Sequence, residues 1–182
     1  MHLVGHSVGG AVSALVCQLR PDLIASYTSV EGNFTLKDAF WTGALAVIEE
    51  VEVAAIMNGY RADPGEWFSS AGVATTPWTT ALAKGWLDNQ PATTIQAQAK
   101  AVVTATSSDS YLLGIKEVLT LGIPIYLIAG EKSAVGWDVP DWVNAGCTIR
   151  INIPGTGHFM MAEEPELFAR SVLTGLSYSK AA

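Results

Sequence analysis

The run IPIYLIAG, from Ile123 to Gly130, is almost unbroken apolar sequence closed by a glycine. A strand of that composition has no polar face to offer water, so it has to be covered on both sides. Parallel sheets with helical crossovers provide that cover. The other strand-like segments agree. LIASYTSVEGN, from Leu23 to Asn33, is a β-rich run ending in turn residues, and HLVG, from His2 to Gly5, is a short apolar run entering a glycine-serine turn. In CTIRINIPG, Ile149, Ile151 and Ile153 alternate with Thr148, Arg150 and Asn152, the pattern of an edge strand with one wet face.

Helical segments separate these strands. VGGAVSALVCQLRPD carries Val8, Ala11, Val12, Leu15 and Leu19 at helical spacing until Pro21 stops it. VPDWVNAG reads as a short helix with Pro140 first and Gly146 last, and Pro165 opens the helix of EEPELFARSVLTGL. Alternating strands and helices predict an α/β fold around a parallel sheet of about four strands with right-handed crossovers. Residues 34–119 break the alternation: they contain no convincing strand, many helix-forming stretches, and Trp41, Trp67, Trp78 and Trp86. Long insertions in compact α/β domains are usually functional, so this span is expected to form a helical lid over the carboxyl ends of the strands. The core is then 1–33 with 120–182.

Bulk composition excludes several roles. With 182 residues and 49% hydrophobic content, one domain with a substantial core is expected. The most apolar stretch outside the strands, TGALAVIEEVEVAAIM, is interrupted by Glu49, Glu50 and Glu52, so no bilayer span is predicted. A net charge of -7 with ten dispersed Lys and Arg residues argues against nucleic acid. Cys17 and Cys147 lack metal-type spacing and are expected to be buried thiols. No export signal is recognisable, and a cytoplasmic location is the expectation.

Gly5-His6-Ser7-Val8-Gly9 carries the chemistry. A serine on a sharp strand-to-helix turn needs glycines two before and two after it to avoid collisions across the turn, and its hydroxyl is then pushed into the open. The following helix turns its free N–H groups and positive dipole end to the same place, so the Val8 N–H is positioned to hold an oxyanion. His158, in a glycine-rich loop after the last strand, is the expected general base for Ser7. His2 lies on a strand and His6 packs under the turn, which makes both poorer bases. Each of these residues also has a purely structural reading: an incidental serine in a glycine-rich turn, or a buried histidine bonded for structure.

GHSVGG, the helical insert, IPIYLIAGEKS and GTGHFMMAEEPELF together resemble the carboxyl-terminal part of an α/β-hydrolase of the lipase, esterase and dehalogenase superfamily, over nearly the whole chain. The resemblance implies the order nucleophile, acid, histidine and a serine nucleophile acting on an acyl compound. It also implies that no metal or organic cofactor is required. The usual place of the acid, a few residues after the IPIYLIAG strand, holds Ser133. Three carboxylates remain: Glu31 in VEGN, Asp138 in GWDVP, and Glu131. Glu31 is favoured because some members of the superfamily place the acid after the preceding strand. Asp138 is second, with a competing role as a helix cap. The aromatic insert with Phe159, Met160 and Met161 implies a pocket for a small or medium apolar ester, against the plainer reading of these side chains as core.

Relatives carry about four more strands before the nucleophile strand and a second oxyanion donor in one of their loops. The chain is therefore expected to begin mid-fold, with HLVG at an exposed sheet edge that invites pairing into a homo-oligomer. Two functions follow: a serine hydrolase using Ser7, His158 and Glu31, or a catalytically weak or inactive fragment that serves as an assembly module.

Overall fold

The computed structural model describes residues 1–178. Its elements run β1 (His2–His6), α1 (Val8–Leu19), β2 (Ser26–Val30), α2 (Phe40–Ala46), α3 (Glu50–Ala62), α4 (Pro64–Ser70), α5 (Pro77–Asp88), α6 (Ala92–Thr106) and α7 (Asp109–Thr120), then β3 (Ile125–Gly130), α8 (Asp141–Gly146), β4 (Ile149–Ile153), α9 (Met160–Glu163) and α10 (Pro165–Tyr178). The four strands form one parallel sheet in the order β1-β2-β3-β4. This is the predicted fold class. β2 and β3 are buried at every position, as central strands with cover on both faces must be.

Two apolar layers sandwich the sheet. On one face Tyr27, Ile125, Leu127 and Ala129 pack with Ala11, Ala14 and Cys17 of α1, Tyr111, Ile115 and Val118 of α7, and Val143 of α8. On the other, Val30, Ile128 and Ile153 meet Met160 and the partly buried Leu167, Phe168 and Val172 of α10. Between β2 and β3 the chain forms helices only. α2, α3, α5 and α6 contribute a separate cluster of Leu45, Val53, Met57, Leu87, Ile95 and Ala99. α7 lies in sequence within the helical stretch but packs against the sheet face. No helix among the described residues is long and apolar enough to cross a membrane.

Several local expectations change. α1 spans the predicted residues, but Val12 and Leu19 are exposed at 54% and 76%, while Gly10, Ala11, Ser13, Ala14 and Cys17 face inward. The inner face is the small-residue face because α1 lies nearly in contact with backbone: a Cβ added at Gly10 would stand 2.4 Å from Gly32 Cα. Pro140 caps α8 rather than opening it. β4 is an edge strand as expected, yet of its three isoleucines only Ile153 is buried, and Arg150 is held over the Trp137 ring. Cys17 is buried and Cys147 only half-buried, both as free thiols. β1 pairs with β2 on one side, and Val4 is exposed.

The glycines of the turn do not contribute equally. A Cβ at Gly5 would meet the Gly9 carbonyl oxygen at 2.2 Å and Ser13 Oγ at 2.6 Å, whereas one at Gly9 would meet nothing within 4 Å. Gly5 is required by the helix folding back over the strand. At Gly9 the backbone, not the missing side chain, forms the contact. Gly10→Ala is accordingly expected to lower stability by about 1–3 kcal/mol through overpacking against backbone that cannot move aside. Gly9→Ala, on an open helical position, is expected to be neutral or to gain up to about 1 kcal/mol. Thermal melts of the two variants test this directly, and equal melting temperatures would refute it.

Candidate active site

Ser7 and Glu31 are the two non-glycine residues with positive φ among the described residues, at 52° and 41°. Such backbone is costly for a side chain with a Cβ and persists only where the surroundings over-determine it. At Ser7 they do: its N–H donates to the Val30 carbonyl at 3.0 Å, and its carbonyl accepts from Gly10 N–H at 2.9 Å and Asn33 N–H at 3.3 Å. β1 ends one residue before it and α1 begins one residue after. Val8 is thus the first helical residue, whose N–H has no partner within the helix. The sequence did not reveal the second strained corner, at Glu31. It stands where β2 ends, its N–H donating to the Ile128 carbonyl at 3.0 Å. The next turn is anchored by Trp137 Nε1, which donates to Gly32 O at 2.8 Å, and by the Tyr111 hydroxyl, which donates to Asn33 O at 2.7 Å.

His158 lies beyond β4, after a turn in which Gly155 has φ 70°. The turn is braced from outside: Gly155 N–H donates to Glu131 Oε2 and Gly157 N–H to Glu163 Oε1. These bonds bring His158 Nδ1 to 2.6 Å from Glu31 Oε2. The imidazole is more open than its partner, with side-chain exposures of 28% and 5%. The other Glu31 oxygen, Oε1, accepts from Gly130 N–H at 2.8 Å and from the Ser133 hydroxyl at 2.5 Å. Burial pushes the Glu31 carboxyl up, but bonds from His158, Ser133 and Gly130 outweigh it and hold the group below its ordinary value.

The other carboxylates lie elsewhere. Asp138 accepts from the Thr35 hydroxyl at 2.6 Å and pairs with exposed Lys37 at 3.3 Å. It does not cap α8, which has no side-chain cap. Glu131 braces the loop before His158. His2 bonds Ser26 Oγ at 2.7 Å across from β1 to β2.

His6 joins the serine corner to the histidine loop. Its Nε2 lies 2.9 Å from the His158 carbonyl, and the two rings are 4.5 Å apart. Ser7 Oγ and His158 are not hydrogen-bonded among the described residues. Desolvation, followed by the neighbouring His158, lowers the His6 pKa to about 4 from its ordinary 6.5. The ring is therefore neutral at pH 7, with Nε2–H donating to the carbonyl. Because the folded state refuses a proton that the unfolded chain accepts, stability is full above about pH 6.5 and falls as pH drops toward 4, by at most about 3 kcal/mol. Glu31 adds a further loss at still lower pH, since its depressed carboxyl binds its proton more readily when unfolded. Urea denaturation at pH 7, 5 and 4 should show this slope, and His6→Gln should flatten its upper part. An unchanged slope in the variant would disprove the assignment.

Phe159, next to His158, sits 5.3–5.8 Å from the rings of Trp67, Phe68 and Trp86. α4 and α5 are thereby packed onto the histidine loop. Met160 is not a pocket residue: it is wholly buried under the sheet with Val30, Ile128 and Ile153. Trp78 is 59% exposed and Trp41 belongs to the helical cluster. A cleft of about 410 Å³ opens between Val73, Trp78, Lys132 and Glu163, but neither Ser7 nor His158 lines it.

A helix-covered parallel sheet with a strained serine between its first strand and helix defines an α/β protein whose polar side chains gather at the carboxyl ends of the strands. The sequence matches the model of the alpha/beta hydrolase family over residues 2–171, and the chain belongs to that family. Among solved structures it resembles a carboxylesterase from the thaumarchaeon Nitrososphaera gargenis (15% identity, TM-score 0.63, 99% of this chain and 65% of that one). It also resembles a thermophilic esterase (18%, 0.62, 97% and 65%) and a hydrolase from Pseudomonas aeruginosa PA01 (19%, 0.63, 96% and 64%). The chain thus spans just under two thirds of the length of these relatives. No curated protein matches it.

Proposed function

We propose that the chain carries the reacting groups of a serine hydrolase that cleaves a carboxylic ester or related acyl compound. The observation that carries this reading is the 2.6 Å bond between His158 Nδ1 and Glu31 Oε2, set beside a serine held in strained backbone. With Nδ1–H donated to a buried carboxylate, Nε2 is left free to accept a proton. Ser7 Oγ attacks the acyl carbonyl, and His158 takes the hydroxyl proton and returns it to the departing alcohol. The Val8 N–H faces the charge that develops on the carbonyl oxygen, with the α1 dipole behind it. Water then repeats the sequence on the acyl-enzyme. The absence of a Ser7–His158 bond agrees with the loose nucleophile–base geometry common before substrate binds.

Helices α2 to α6 serve as the cap, with α7 as the strut that returns the chain to the sheet. The contact of Trp67, Phe68 and Trp86 with Phe159 supports this, because it joins the helical cluster to the loop of the base. The carboxylesterase and esterase among the solved relatives favour an ester substrate. Labelling by a fluorophosphonate probe, lost in Ser7→Ala, tests the proposal. A wild-type chain that folds but takes up no label would refute it.

A further inference from the structure

Glu31 is a flexible side chain with two equivalent oxygens, yet only one arrangement presents Oε2 to His158 with the geometry described. Something has to fix the carboxylate plane. Gly130 N–H, at 2.8 Å, fixes one point, and a single donor still allows the group to pivot about it. A second donor on the same oxygen, the Ser133 hydroxyl at 2.5 Å, removes that pivot.

Ser133 reaches Glu31 from a different loop, 102 residues further along the chain. Its own position is rigid: after β3 its N–H and that of Ala134 both donate to the Gly130 carbonyl, at 3.2 and 2.8 Å. The hydroxyl has one proton and two acceptors within reach, the carboxylate at 2.5 Å and Gly130 O at 3.3 Å. A charged acceptor at the shorter distance takes it.

We propose that Ser133 is a positioning residue of the proposed hydrolytic site, whose hydroxyl locks the Glu31 carboxylate so that Oε2 faces His158 Nδ1. This rests on the reading of Ser7, His158 and Glu31 as the reacting set. The carboxylate accepts from His158, Ser133 and the Gly130 N–H, with the His6 ring as the further titratable group beside it, so removing one hydroxyl removes a third of its donors. The effect on catalysis is transmitted through the histidine and falls on turnover. Substrate binding is unaffected.

Ser133→Ala should lower kcat by about tenfold with KM unchanged. It should also move the acid limb of the pH profile to higher pH, because a carboxylate that has lost a donor keeps more of its negative charge for His158 Nδ1–H. Ser133→Thr, which keeps the hydroxyl, should restore both. An independent readout needs no turnover: the far-downfield proton resonance of a histidine Nδ1–H bonded to carboxylate, identified by its loss in Glu31→Gln, should shift or broaden in Ser133→Ala and stay in place in Ser133→Thr. If Ser133→Ala leaves that resonance unmoved, or lowers only the melting temperature, Ser133 is structural and the proposal fails. If Ser7→Ala leaves hydrolysis intact, the functional reading fails, and the resonance still decides whether Ser133 orients Glu31.

Discussion

Replacing Ser7 by alanine is expected to lower the hydrolysis of short-chain esters by roughly 10⁴–10⁶-fold while leaving the fold intact. The size of the effect follows from the role. Without Oγ there is no covalent acyl intermediate, and His158 has no hydroxyl to deprotonate. What survives is the oxyanion donor and substrate binding, which alone retain some catalysis over water. The fold should be indifferent because the strained backbone at Ser7 is held by main-chain bonds to Val30, Gly10 and Asn33. Alanine suffers the same cost at φ 52° as serine, so a thermal melt should register little change. Steady-state kinetics with a chromogenic ester and circular dichroism of the same preparation provide both measurements. Retention of more than about one part in a hundred of wild-type activity would point to another nucleophile.

Glu31→Gln should lower turnover by roughly 10²–10⁴-fold, with Asp138→Asn within a fewfold of wild type. A glutamine at this corner keeps the shape but loses the charge that stabilises the imidazolium. It also places an amide where His158 Nδ1–H needs an acceptor, which favours the wrong tautomer. Asp138 is occupied by Thr35 and Lys37 and makes no bond to His158 among the described residues, so its charge reaches the histidine only weakly through solvent. The reverse ranking of the two variants would transfer the acid to Asp138. The melting temperature of Glu31→Gln should fall somewhat, since the bonds that the carboxylate accepts outweigh the cost of its burial.

Much of the architecture was legible without coordinates. The apolar IPIYLIAG run, the Pro21 stop and the Pro165 start follow from backbone chemistry that acts over a few residues, and the strands and helices lie where that chemistry puts them. The sharp turn at Ser7 was legible for a similar reason, since a glycine-fenced serine between strand and helix is a local statement. Glu31 was legible only as one of three candidates, because proximity to His158 across 127 residues is not a local property. Only the tertiary structure brings it to His158, by ending β2 one residue before a corner with positive φ.

The inner face of α1 differs from the one its apolar spacing predicts, because spacing counts apolar residues and does not register that close backbone approach at Gly32 admits only small ones. Met160 looked like a pocket residue beside His158 and is core, since the first turn of α9 points it beneath the sheet. The sequence by itself determined the fold class, the four strands and the strand-turn-helix corner at Ser7, which are encoded by short-range sterics and hydrophobic periodicity, but not the separate helices within residues 34–119. The tertiary structure alone decided which carboxylate meets the imidazole, that Ser133 meets the carboxylate, and that His6 ties the serine corner to the histidine loop. These are contacts between segments far apart in the chain, and their distances are set by sheet register and packing, which no local pattern records.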